Sequence, residues 1–278
     1  MSLTDSVRIR GVDGSVWPLG GPRNLAKDAW IVGGLDALFT APPFTATRTS
    51  RAYQVGSTPR MTKIEERLLD FRVRLQARTR RDFEELHAAW NRAWSQDADL
   101  DFEVRNARGQ ARKISARLDR QMTIDGRLSM QTTKIDLEMV AVACWPYLRS
   151  GVEVEKFKCP AGTHEGTILV SNPTDVPLWV EWGGTPGKWF LPDALSGRVV
   201  PIPTQAAVWK VRTRQNFETL SSASGAFVWP TMRGVNFRFE IPPGTPPTEL
   251  PVRVENSPGP AELRCFMPRY HQMPWGDP

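Results

Sequence analysis

The chain has little of what enzymes and metalloproteins need. Only three cysteines, Cys144, Cys159 and Cys265, occur in 278 residues, and none forms a CxxC or other metal spacing. So sparse and odd a set argues against a disulfide scaffold and fits a protein made in a reducing cytoplasm. The three histidines, His87, His164 and His271, stand far apart without an HxxxH spacing, which gives zinc no ligand set. GxSxG, GxGxxG and P-loop motifs are absent. Glu65–Glu66, Glu84–Glu85 and Glu153/Glu155 read as solvated surface pairs, whereas a glycosidase needs two carboxylates flanking a scissile bond. The expectation is a protein that is not an enzyme, with no cofactor and no metal. Long apolar runs are missing too. The longest, MVAVACW, falls far short of the ~20 residues that span a bilayer. The opening MSLTDSVRIR carries no apolar signal segment, so neither membrane insertion nor export is expected.

Proline is scarce in one half only. Residues 1–145 contain 5 of the 24 prolines, and the remaining 133 residues contain the other 19. The shift falls at ACWPYLRSG, residues 143–151, and predicts two domains, 1–148 and 149–278. The formal charge of +6 is also uneven: 23 Lys/Arg against 18 Asp/Glu before residue 146, and 13 against 12 after it. Eight basic residues lie between Arg60 and Arg81. Such a stripe can follow a nucleic acid, but no nucleic-acid-binding module accompanies it, so a solvated face or an acidic partner is expected instead.

What is present is mainly β. VRIRGVDGSVWPL turns at Asp13-Gly14, a strong hairpin signal. RLLDFRVRLQA alternates strictly, with Leu69, Phe71, Val73 and Leu75 on one face and Asp70, Arg72, Arg74 and Gln76 on the other. LDFEVRNARGQARKISARL reads as two strands about Asn106–Gly109, and KIDLEMVAVAC as a further strand. Between Gly20 and Met61 runs a long irregular stretch with two Gly-Gly pairs and Pro42-Pro43, too long for a structureless loop inside a domain. It is expected to be an arm that lies on another subunit. The one helix is TRRDFEELHAAWNRAW, predicted over 80–94 with Thr79 as N-cap and Asp82 at the capping-box position. Phe83, Leu86, Trp90 and Trp94 form a single apolar stripe that covers a sheet.

The second half reads as short strands punctuated by Pro and Gly, the pattern of a sandwich: GTILVSN, VPLWVEWGG, GRVVPIP, AAVWKVRT, FRFEIPP, PVRVEN and AELRCFM. It holds six of the 11 tryptophans. LWVEWGGTPGKWF could offer Trp182 and Trp189 as a carbohydrate-stacking platform, although burial is the more frequent fate of such residues.

The order of these motifs resembles a known family. A hairpin, a long arm, an alternating strand, RRDFEELHAAW, further hairpins and a strand entering VAVACWPYLRS follow one another as in the N-terminal domain of the distal tail proteins of long, non-contractile-tailed phages. There an Arg-Asp pair opens the helix, and a Pro-Tyr pair, here Pro146-Tyr147, marks the domain junction. This chain has Trp145 where the family carries an acidic residue. GTILVSNPTDVPLWVEW, WPTMRGVNFRFEIPPGT and PAELRCFMPRYHQMPW resemble the galectin-like sandwich that follows in such proteins, particularly in phages of actinobacteria. The resemblance implies a structural virion component assembled in host cytoplasm: a ring, of six copies, joining the tail tube protein to tail-tip hub and receptor-binding proteins. Arg72 and Arg74 would then be ring-interface residues. The alternative is a lectin-like protein that binds host cell-surface carbohydrate through the Trp-rich sandwich.

Overall fold

A computed structural model describes residues 6–21, 28–126, 131–214, 219–222, 224–226 and 228–276. Its architecture is mainly β with one α-helix. The chain divides into two compact units: residues 1–150 together with His271–Gly276, and Gly151–Tyr270. The return of the C-terminal segment to the first unit is not anticipated by a division at one sequence position.

The first unit contains β1 (Ser6–Arg10), β2 (Val16–Gly20), β3 (Ala29–Gly34), β4 (Phe44–Thr49), β5 (Thr58–Ile64), β6 (Arg67–Gln76), α1 (Arg80–Arg92), β7 (Leu100–Arg105), β8 (Ala111–Leu118), β9 (Thr123–Asp125) and β10 (Lys134–Ala143). One antiparallel sheet is ordered β2–β1–β7–β8 and the other β3–β6–β10–β9. The end of β8 also pairs with β10, which joins the sheets at one side. The alternation in β6 sorts its residues as expected. Leu69, Phe71, Val73 and Leu75 are buried, and Asp70, Arg72, Arg74 and Gln76 face the other way, while Arg67 at the start of the strand lies on the buried face.

Helix α1 starts where Thr79 accepts a hydrogen bond at Oγ1 from the Asp82 amide (3.2 Å). It ends at Arg92, two residues short of the expected Trp94, yet Trp94 still enters the core. Trp90 is fully buried, with Trp17 edge-on at 5.1 Å and Trp94 tilted at 5.6 Å. Phe71 and Phe102 complete the aromatic cluster. The β1–β2 turn closes tightly on the end of the helix. A side chain at Gly11 would come within 2.7 Å of the Ala93 Cβ, and the Val12 amide donates to the Ala93 carbonyl.

The C-terminal segment is held in this unit by buried arginines. Arg67, 1% exposed, donates to the carbonyls of Ala37, Leu38 and Gln272, and Arg112 donates to that of Met273. Burial lowers the Arg67 pKa to about 10. Trp275 stacks on Phe39 at 5.0 Å, and His271 Nε2 shares a 2.8 Å hydrogen bond with Ser150.

The chain enters the second unit within β11 (Leu148–Cys159) and continues through β12 (Gly162–Asn172), β13 (Glu181–Gly184), β14 (Gly187–Pro192), β15 (Val199–Gln205), β16 (Trp209–Arg212), β17 (Leu220–Ser222), β18 (Thr245–Ser257) and β19 (Ala261–His271). Two antiparallel sheets, β17–β16–β13–β19–β11 and β12–β18–β14–β15, bury one core between them, with Trp182, Trp189 and Trp209 at its centre. FRFEIPP, expected as a strand, pairs only through an isolated bridge from Ile241 to Leu178. The fully buried Asp193 carboxylate explains this, because it takes the Arg238 and Phe239 amides and the Arg198 guanidinium in place of a neighbouring strand.

Candidate assembly surfaces

No group of three or more His, Cys, Asp or Glu among the described residues could hold a metal ion, and no helix is long and apolar enough to cross a membrane. What the structure offers is surface, in three places.

The first is the outer face of the β3–β6–β10–β9 sheet. Strand alternation turns Arg72 and Arg74 away from the core, and both are occupied there. Arg74 makes a two-pronged pair with Asp136 (2.6 and 2.7 Å), and Arg72 reaches Asp125 (3.0 Å) and Glu138 (3.2 Å). The two hydrogen bonds from Arg74 hold the Asp136 carboxyl below the usual carboxylate range. At the β3 edge this face opens into a cleft of about 580 Å³, lined by Val32, Gly33, Gly34, Asp36, Asp70 and Glu138 among others. The cleft follows from Gly33-Gly34. At Gly33 no atom lies within 4 Å of where a Cβ would sit. Gly34 has φ +77°, and a Cβ there would meet the Asp70 carbonyl at 2.7 Å, so only glycine fits.

The second surface lies within the expected arm, of which residues 22–27 fall outside the described residues. β4 and β5 form a two-stranded sheet of their own, closed by a turn with Tyr53 and Gly56 at positive φ. Every residue of β5 is exposed. Tyr53 and Val55 at the turn are as open as in an extended chain, 105% and 101% exposed, and Phe44 and Met61 are each 62% exposed. The expectation of an irregular arm over Gly20–Met61 needs correction: residues 29–39 belong to the unit's own sheet and core, where β3 pairs with β6 and Leu35 and Leu38 are buried, and only residues 44–64 stand out, as an antiparallel hairpin.

The third surface is on the second unit, and here the carbohydrate expectation needs correction. Trp182 is 1% and Trp189 0% exposed. Trp189 Nε1 donates inward to the Thr185 carbonyl, as does Trp209 Nε1. Both indoles of the supposed platform are core, because each faces the opposite sheet. The exposed groove lies instead on the outer face of β12–β18–β14–β15, about 570 Å³ in volume, with Phe190 under the guanidinium of Arg253 (4.0 Å from the ring centre). That aromatic face is already covered by its own neighbour. GKWFLP held the signal for Phe190, since alternation sets it opposite Trp189.

With this geometry in hand, likeness to solved structures decides the fold. The Dit protein of phage SPP1, described as a paradigm of the hub adsorption apparatus in phages infecting Gram-positive bacteria, superposes with a TM-score of 0.59 at 9% identity. The match covers 96% of this chain and 98% of that one. The fold is that of the phage distal tail proteins. A chain of the phage P2 baseplate in its activated conformation with calcium matches with a TM-score of 0.52 at 9% identity, over 94% of this chain and 97% of that one. The corresponding structure with strontium gives 0.50 at 10% identity over the same shares. No protein-family model and no curated protein matches the sequence. The distal tail fold therefore carries over through shape across both units, not through residue identity.

Proposed function

We propose that this chain is a structural component of a phage tail tip: a ring of six copies that joins the tail tube protein to the tail-tip hub and receptor-binding proteins. The observation that carries this reading is coverage. A protein described as a hub of the adsorption apparatus shares the fold over 96% of this chain, including the helix-braced unit and the sandwich that follows. The hairpin supports it, because a two-stranded sheet with exposed apolar residues gains little on its own in water and calls for a partner. In this reading the first unit forms the ring, the second unit is the galectin-like sandwich, and the protein resides in the virion after assembly in host cytoplasm. Catalysis has no part in it. Arg72 and Arg74 lie on the face of the first unit that would meet a neighbouring copy.

Negative-stain electron microscopy of the purified chain, alone and with tail tubes, tests the proposal. Rings with a central hole, or density capping the tube end, are expected. Compact monomers that fail to decorate tubes under all conditions would refute it.

A further inference from the structure

We infer that the β4–β5 hairpin of one copy docks by charge into the carboxylate-lined cleft beside β3 of a second copy. This rests on the self-assembly reading above and names the two surfaces that meet.

The hairpin is a cation. Residues 44–64 hold Arg48, Arg51, Arg60 and Lys63 and no acidic residue, four positive charges against none. Lys63 is paired with Glu65 just beyond the hairpin (2.7 Å). Arg60 donates to the Thr49 hydroxyl only, and among the described residues Arg48 and Arg51 form no ion pair. Three guanidinium groups thus stand on an exposed ribbon without a carboxylate. Two rows of backbone edge and the side chains of Phe44, Tyr53, Val55 and Met61 are exposed beside them. An open edge with apolar residues is a surface that proteins otherwise cover or blunt.

The cleft has the opposite sign. Asp36, Asp70 and Glu138 line it, against Arg72 alone. Glu138 and Arg72 pair with one another, so they cancel within the cleft. Asp36 and Asp70 are both exposed and form no ion pair among the described residues. The floor is bare backbone at Gly33-Gly34, which lets a ribbon approach closely, and exposed Val32 forms part of its wall. β3 pairs with β6 on one side, and a register shift between Ile31 and Gly33 breaks its regular ladder at this point. Two unpaired carboxylates, an apolar residue and an open floor complement unpaired guanidiniums beside Tyr53 and Val55. Each copy carries one hairpin and one cleft, so a contact passed from copy to copy is head-to-tail, the type that closes into a ring.

The test uses full-length chains with exposed residues changed, each checked for unaltered melting temperature. One carries R48E, R51E and R60E in the hairpin; the other carries D36K and D70K in the cleft. Sedimentation velocity at 0.1 M salt should show each variant alone self-associating at least ~100-fold more weakly than the unaltered chain, since like charges then face each other. In an equimolar mixture each variant's hairpin faces a cleft of opposite sign on the other, so the two should co-assemble in alternation although neither self-associates alone. A chain carrying both sets should regain self-association, because the charges are complementary again. Raising salt to 1 M, where screening falls to ~3 Å, should weaken the unaltered assembly. If the unaltered chain forms rings and the hairpin variant forms them equally well, the docking is overturned and the ring reading stands. If the variants assemble only when mixed but the mixture and the unaltered chain give only open strings, the docking stands and the closed ring does not. Absence of any complex in both cases overturns both.

Discussion

Replacing Trp90 with alanine tests whether the lone helix braces the first unit. The indole is completely buried and touches Trp17 and Trp94, with ring centres 5.1 and 5.6 Å away. Truncating a large buried aromatic costs ~3–5 kcal/mol. The loss should fall in the upper part of that range, because the two ring contacts each contribute ~0.5–1.5 kcal/mol beyond burial. One feature works against this. Among the described residues Trp90 Nε1 is buried without a hydrogen-bond partner, an arrangement that costs ~1–3 kcal/mol and disappears with the indole. Trp90→Phe keeps most of the apolar volume and removes the orphaned N–H, so it should be clearly milder than Trp90→Ala. Against a total of ~5–15 kcal/mol, the alanine variant leaves the first unit marginal. Urea unfolding followed by near-ultraviolet circular dichroism measures the loss. Limited proteolysis then locates it: residues 6–145 should be digested and a fragment spanning about Gly151–Tyr270 spared, since that unit has its own core. Loss of both units together would refute their independence. An unchanged urea midpoint would show that the stripe does not brace the sheet.

Four further outcomes follow from particular contacts. Ending the chain at Tyr270 strips Arg67 and Arg112 of the Gln272 and Met273 carbonyls, and breaking a buried charge's partnerships costs ~3–5 kcal/mol; an unchanged urea midpoint for the first unit would show that water replaces them. Asp136 has a depressed folded pKa, so its contribution is fully present above the unfolded carboxylate value of ~3.9 and is lost as pH falls through the lower folded value. Asp136→Asn should therefore flatten the acid limb of the stability–pH curve below about pH 4, and an identical acid limb would show that the Arg74 pair does not form. Asp193→Ala should free the Arg238 and Phe239 amides, visible as faster hydrogen exchange at those two positions. Burial pushes the Cys265 thiol well above its ordinary pKa, whereas Cys144 is exposed, so iodoacetamide at pH 8 should label Cys144 and leave Cys265 until the chain unfolds.

Periodicity alone determined much of this protein. The two-residue alternation of β6 placed Phe71 and Val73 inward and Arg72 and Arg74 outward, because a pleated strand permits nothing else. Thr79 and the stripe through Trp90 marked the helix, since capping and a 3.6-residue repeat are local properties. What is not local was decided by the tertiary structure. Trp182 and Trp189 look alike as platform or core in sequence, and only the opposing sheet makes them core. FRFEIPP has the composition of a strand, but Asp193, more than forty positions earlier in the chain, takes its amides. The last residues join the first unit because two arginines buried there need acceptors, and the Gln272 and Met273 carbonyls supply them. The Gly20–Met61 stretch read as one arm divides in the structure: β3 joins the core sheet, and only residues 44–64 leave it as a cationic hairpin, whose pairing was not legible because β4 and β5 alternate no apolar face against a core. A strand that buries nothing in its own chain leaves no hydrophobic period to read; its order comes from cross-strand hydrogen bonds, which composition does not record.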